Sequence, residues 1–192
     1  MTSIPARSTL LAISLFLAPP TPRGAVHELQ DNRITLVLRD RAHLSLTMYI
    51  NYSSALNRLL APRMSRQEFV IAYAAMGPAS FRAEVRRAEA AILAGTKIFG
   101  PGGRPVVLGH WTWPDAAAVQ ALLQQQAMQA VVAPGDHPSE QPLEIHADGT
   151  SAQPISTVTM RLPAGFQRVL VVSYTPHQAW VDPAAPSPSI RF

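Results

Sequence analysis

Residues 33–52 read RITLVLRDRAHLSLTMYINY, and this stretch decides the predicted fold. Apolar side chains alternate with polar ones on both sides of Asp40 and Arg41, and a period of two is typical of half-buried β-strands. The stretch therefore predicts an antiparallel hairpin with Leu36 and Leu46 in the core. The opposite face of the second strand, which begins at His43, is polar enough to face water.

The rest of the chain predicts helices followed by further strands. Ser65 and Glu68 have the spacing of a capping box ahead of a helix, and Gly95 is placed as a left-handed cap at the end of another. Helices are predicted after Tyr52, from Ser65 to Met76, over residues 79–94 and over residues 115–132. Further strands are predicted over residues 96–99, 106–113, 143–147, 155–162 and 168–175.

The last of these strands is nearly all apolar, which is typical of a central strand covered on both faces. We therefore expect Val171 in the core. Taken together, the elements predict an α+β fold, either an antiparallel β-sheet or an immunoglobulin-like sandwich with helical insertions.

The first residues have the order of a secretory signal. Arg7 precedes an apolar run from Leu10 to Ala18, and prolines and small residues lead to Ala25. The run is shorter than the roughly 20 apolar residues that a membrane span requires, and no later segment is long and apolar enough to span. We expect a periplasmic or secreted protein with a signal peptide over residues 1–25, a single domain over residues 26–181 and a proline-rich extended tail over residues 182–192.

Composition excludes several classes of function. Removal of residues 1–25 takes away Arg7 and Arg23 and no acidic residue, so the formal charge falls from +4 to +2. The remaining arginines are scattered without aromatic interleaving, which argues against nucleic acid as a partner. The absence of cysteine excludes disulfides, thiolate metal sites and a cysteine nucleophile.

No stretch has the spacing of a catalytic or cofactor motif. The glycine-rich residues 100–105 lack the phosphate-binding patterns and join two predicted strands, so a hairpin loop is expected there. Trp111 and Trp113 share one face of a strand. They could stack on a ligand, but side chains of this bulk more often fill a core or a seam between helix and sheet, which we favour.

Histidine offers a candidate metal site. If the signal is cut after Val26, His27 becomes the first residue, and its amine and imidazole can chelate one copper ion while a second imidazole completes the set. His43 and His110 are the candidate partners. His43 is favoured because a hairpin is expected to return the chain towards its own start.

Two resemblances accompany these residues. An N-terminal His27 resembles that of exported copper carriers and oxidative enzymes, which implies copper as a cofactor. The start His27-Glu28-Leu29 followed by paired strands, over residues 27–113, resembles small exported proteins of Gram-negative bacteria to which no activity is assigned. That second resemblance implies an export address and no activity.

Three functions follow as hypotheses. The first is an exported, non-catalytic binding or accessory module for a small ligand, such as a metal, or for an envelope protein. The alternative is a structural protein–protein interaction domain that serves a membrane or envelope partner. A hydrolase or oxidase comes third, because no residue set supports it.

We predict that the chain is exported and cleaved between Gly24 and His27, because small residues follow the apolar run there. The intact mass of the protein in a periplasmic fraction is expected to match a chain that begins at residue 25, 26 or 27. A full-length product in the cytoplasm would contradict both the location and the chelating terminus.

Overall fold

The computed structural model describes residues 32–132 and 142–176, and over them the chain forms seven strands and four helices. The predicted signal segment and the predicted tail lie outside the described residues. The strands are β1 (Asn32–Asp40), β2 (His43–Ile50), β3 (Lys97–Phe99), β4 (Pro105–Thr112), β5 (Leu143–Thr150), β6 (Thr159–Arg161) and β7 (Val169–Tyr174). The helices are α1 (Tyr52–Leu60), α2 (Arg66–Ala74), α3 (Pro78–Gly95) and α4 (Ala116–Val132).

The strands form one mixed sheet in the order β6-β3-β4-β5-β2-β1-β7, curled into a half-barrel. The α+β class is confirmed, whereas these strands do not show an immunoglobulin-like sandwich. The expectation of an antiparallel sheet is wrong at one position, because β7 runs parallel to β1. The long connection from β1 to β7 permits this pairing, which a tight hairpin would forbid.

The first hairpin forms as predicted. Leu36 pairs with Leu46, and both side chains are buried. The turn contains no glycine. Instead, one carboxylate oxygen of Asp40 accepts hydrogen bonds from the backbone N–H groups of Ala42 and His43, each at 2.9 Å. This pattern allows aspartate to hold a turn through its side chain.

Local capping explains where the helices begin and end. Asn51 caps α1 by accepting a hydrogen bond from the backbone of Ser54 at 3.2 Å, and the predicted capping box of Ser65 and Glu68 is confirmed. The prediction of a left-handed cap at Gly95 is wrong, because this glycine is the last residue of α3 and has no positive φ. A Cβ atom at Gly95 would lie 2.9 Å from Cγ of Pro163, so close packing requires the glycine.

The core lies between one face of the sheet and the helices. Alternate residues of the strands point to this helix-covered face, and the residues between them form an open face that is polar on β2 and β5. Within the described residues, none of the helices has both the length and the hydropathy to cross a bilayer. The largest buried side chains come from strands and helices alike and include Ile34, Met48, Tyr52, Phe69, Phe81, Ile92 and Phe166.

Asn32, the first residue of β1, connects three parts of the fold. Its side-chain oxygen accepts a hydrogen bond from the backbone of Asn51 at 2.7 Å, just before α1. Its side-chain nitrogen donates to the carbonyl oxygen of Phe166, in the 3₁₀ turn that precedes β7. One amide therefore fixes where α1 leaves the sheet and where β7 enters it.

The placement of β7 contradicts the prediction of a central strand. Within the described chain it has one neighbour, β1, and lies at the end of the sheet order. Val171 is 44 % exposed and so is not a core residue. The same run of valines and leucines is compatible with a central strand covered on both faces and with an uncovered edge strand. The sequence pattern does not distinguish the two positions, and only the pairing partners do.

We predict that Leu46→Ala lowers the free energy of unfolding by about 2–5 kcal/mol, because Leu46 is 0 % exposed and its loss leaves a cavity. The matched control is Leu93→Ala on α3, where the leucine is 46 % exposed and a change within about 0.5 kcal/mol is expected. Denaturant unfolding measures both. Equal losses in the two variants would contradict the assignment of faces to β2.

Candidate functional site

The outer edge of β7 is the first candidate binding surface. β7 pairs with β1 from Asn32 opposite Val169 to Val37 opposite Tyr174. On its other side, no strand of the described chain pairs with it. An unpaired edge presents a row of backbone donors and acceptors on which a further strand can form.

The side chains of this edge are apolar and accessible. Leu170, Val172 and Tyr174 point to the open face, Val171 points to the helix-covered face, and all four are between 38 % and 55 % exposed. The six residues of β7 carry no charge. Exposed apolar area of this kind marks sites of interaction.

The opposite edge of the sheet, formed by β6, is protected against pairing with other chains, and β7 differs from it in this respect. β6 has only three residues, Thr159–Arg161, and an exposed arginine whose guanidinium carbon lies 6.0 Å from the ring centroid of Phe99. Short length and charge are two devices that prevent edge strands from pairing with other chains. β7 is twice as long and has neither device.

A cavity of about 450 Å³ opens beside the end of β7. The hairpin contributes Leu36, Leu38 and Leu44, the connection between β5 and β6 contributes residues 155–158, and the end of β7 contributes residues 173–175. Ser173 pairs with the buried Leu36, so it shares the helix-covered face with the cavity. The described lining offers apolar groups and hydroxyls, with no carboxylate, imidazole or amine.

Polar side chains of β2 and β5 contact one another on the open face. The hydroxyl of Ser45 donates to Asp148 at 3.2 Å, and Nδ1 of His146 lies 3.2 Å from the hydroxyl of Thr47. Nε2 of the same imidazole lies 2.9 Å from a carboxylate oxygen of Glu144. These groups satisfy one another at the surface, which agrees with the expected solvated face.

His43 is exposed at the turn and is oriented by Asp40. Nδ1 of its ring lies 2.6 Å and 2.8 Å from the two carboxylate oxygens of Asp40. The backbone hydrogen bond from Ala42, followed by the contact with the His43 ring, holds the pKa of Asp40 below its usual value. A carboxylate on one ring nitrogen leaves Nε2 as the atom that would face a metal, a common arrangement around metal-binding histidines.

His110 occupies a different part of the sheet. It adopts a left-handed φ of 49° where the pairing of β4 with β5 shifts between Gly109 and Thr112. β5 separates β4 from β2, so the strands that carry His110 and His43 are about 10 Å apart. The structure does not bring the two rings together, and they are alternative partners for one ion.

His27 lies outside the described residues, but the hairpin limits what it can reach. Arg33 pairs with Tyr49, so the end of β2 lies beside the start of β1, and His43 lies at the far turn. The expectation that the hairpin returns His43 towards the chain start is therefore wrong. β1 is about 27 Å long, whereas the five residues from His27 to Asn32 span at most about 17 Å.

His146 is nearer to the start of β1 than His43 is. It pairs with Thr47, which pairs in turn with Thr35, three residues after Asn32. Sequence reasoning gave His146 no special weight, because the pairing of β5 with β2 is not visible in the sequence. Over residues 32–132 and 142–176, no three histidine or acidic side chains are grouped as a metal site.

The tryptophan pair packs as the sequence analysis favoured. Trp111 and Trp113 stack with ring centroids 5.2 Å apart and an interplanar angle of 10°. Both are partly buried against the hydrophobic core. Trp111 lies in β4 and Trp113 directly follows it, so the pair packs against the core at the end of this strand and does not form an open aromatic platform.

Sequence reasoning missed the edge of β7, although a signal for it exists. From Val169 to Pro176 the chain has no charged residue, and the first proline appears only at the end. An uncharged, proline-free apolar strand is either a central strand that is buried on both faces or an edge strand that pairs with another chain. Only the pairing order distinguishes the two.

Comparison with known proteins identified no relative of this chain. No protein-family model matches the chain, and no curated protein or solved structure matches it.

Proposed function

We propose that this chain is an exported, non-catalytic binding module that takes up a strand of another polypeptide along β7. The observation that carries the proposal is the uncharged, six-residue outer edge, which pairs with no strand of the described chain and whose apolar side chains are exposed on both faces. Export rests on the signal-like residues 1–25. The envelope is the compartment in which the partner would be met.

The mode of binding follows from the chemistry of a sheet edge. Backbone hydrogen bonds to β7 would supply sequence-independent affinity, and alternate side chains of the added strand would supply specificity. A residue opposite Ser173 would point to the helix-covered face, where the 450 Å³ cavity opens. The cavity therefore favours an apolar side chain at that position of the partner strand.

The same cavity supports binding over catalysis. Its described lining has no carboxylate, imidazole or amine, the groups that most often transfer protons in catalysis. A structural domain for an envelope partner, the alternative drawn from the sequence, would use the same edge. The two differ in what the partner does, and both require β7 to be covered.

A photocrosslinking experiment tests the proposal. Val172 is replaced by benzoylphenylalanine in the full chain, which is expressed with its own leader. The matched control carries the probe at Val107, an exposed valine on β4, which lies between β3 and β5. We expect a discrete adduct from position 172, several-fold more abundant than from position 107, with the second polypeptide attached through an extended segment.

Equal and diffuse labelling from both positions in folded protein would overturn the proposal. Circular dichroism of the purified variants shows whether each is folded. Mass spectrometry of the adduct identifies the attached residue, so a strand from any polypeptide is distinguished from a random collision.

A metal function through His27 is a second candidate, favoured by the imidazole–carboxylate pairs on the open face. Both His43 with Asp40 and His146 with Glu144 have a ring nitrogen at 2.9 Å or less from a carboxylate. Because the reach from Asn32 favours the neighbourhood of Thr35 over the turn, we place His146 before His43 as the partner of His27. To bind the ion, Nδ1 of His146 would exchange its contact with the hydroxyl of Thr47 for copper. His110 is the third choice.

Copper titration of the correctly processed chain tests the second candidate. We expect one equivalent to bind tightly, with binding lost in His27→Ala and weakened more by His146→Ala than by His43→Ala, because a chelate needs each nitrogen within about 2 Å of the ion. A chain with one extra residue before His27 is the control for the terminal amine. Micromolar or weaker binding, unchanged by these substitutions, would contradict the site.

A further inference from the structure

We infer that the strand that pairs with β7 is β7 of a second copy, in an antiparallel, two-fold arrangement centred on Val172. This inference rests on the proposed function, since it names the partner of the same edge. The self-complementarity of the strand, the two different faces of the sheet and the cavity support it.

The alternation of β7 allows it to pair with itself without a mismatch of faces. A continuous sheet requires paired residues to point to the same face, so a two-fold axis must pass through a residue that pairs with its own copy. With the axis at Val172, Leu170 pairs with Tyr174 of the second copy. The three large side chains of the open face then cover one another across the edge.

The two different faces of the sheet select the antiparallel orientation. Two outer edges of β7 can meet in parallel only if one copy is turned over, so that its helix-covered face would continue the open face of the other copy. Arg168 immediately precedes β7 and is exposed. In the antiparallel pair, Arg168 lies opposite Pro176 of the second copy, and the two guanidinium groups lie at opposite ends of the interface.

The same register completes the cavity. On the helix-covered face, Ser173 lies opposite Val171 of the second copy. Ser173 belongs to the lining of the 450 Å³ cavity, so each copy offers an apolar side chain beside the cavity of the other. This explains why Val171, which points to the helix-covered face, is left 44 % exposed in one chain.

Single-cysteine crosslinking tests the register, and the chain is suited to it because it has no cysteine. At the two-fold axis, Val172→Cys would place two Cβ atoms about 5 Å apart, within reach of a disulfide after a small adjustment. In Leu170→Cys the two thiols would be four residues out of register, about 13 Å apart. We expect Val172→Cys to form a covalent dimer several-fold faster than Leu170→Cys under mild oxidation.

The Leu170→Cys control is stringent because its side chain is the more accessible of the two. Leu170 is more exposed than Val172, at 55 % against 38 %, so random collisions would favour the control variant. Faster crosslinking of Leu170→Cys, or equal rates, would overturn the Val172-centred pair. Preferential crosslinking of Val171→Cys would overturn it too, because that outcome belongs to an axis one residue earlier.

Sedimentation of the processed chain without cysteine tests the dimer itself. We expect a dimer that Val172→Lys converts to a monomer and that Val107→Lys leaves intact. A monomer at all accessible concentrations would overturn the inference. If removal of residues 177–192 then produced a dimer, the chain's own terminal segment would be the occupant of the edge.

The outcomes separate this inference from the proposed function. A monomeric chain that crosslinks from position 172 to a different polypeptide would retain the proposed function and exclude the second copy. A monomeric chain without any adduct from that position would exclude both.

Discussion

The two hydrogen bonds of Asn32 are the constraint on which the arrangement of the sheet depends. β1 lies between β2 and β7, and its first side chain binds the residue before α1 and the turn before β7. Both partners are backbone groups, so the bonds fix positions of the main chain and not of flexible side chains. A side chain without both a donor and an acceptor would leave one of these partly buried groups unpaired, which destabilises a fold by about 1–3 kcal/mol.

Alternation and capping predicted the parts of the fold that depend on local sequence. The hairpin with Leu36 and Leu46 inside, the capping box at Ser65 and the loop after β3 all follow from neighbouring residues. Gly95 shows the limit, because its lack of a side chain serves contact with Pro163, which is distant in sequence. No local pattern contains that contact.

The candidate site was predicted only in part, for the same reason. His43 was singled out with an incorrect idea of where the hairpin would place it, since the pairing of Arg33 with Tyr49 puts the turn at the far end. Val171 was read as core because an apolar strand looks the same whether one or two neighbours flank it. The edge of β7 and the approach of His146 to the start of β1 both depend on pairings between distant segments, which one sequence does not reveal.

The parallel pairing of β1 with β7 also has a consequence for how the chain folds. Asn32 and its bonding partner Phe166 are separated by 134 residues, so the last strand can join the sheet only after nearly the whole domain has been made. Contacts between distant segments slow folding because loop-closure entropy is lost before the contacts form. Until β7 pairs with β1, the outer edge of β1 has no partner among the described strands. During that time the edge of β1 can pair with strands of other chains. The order of synthesis thus transfers the vulnerable edge from the beginning of the domain to its end.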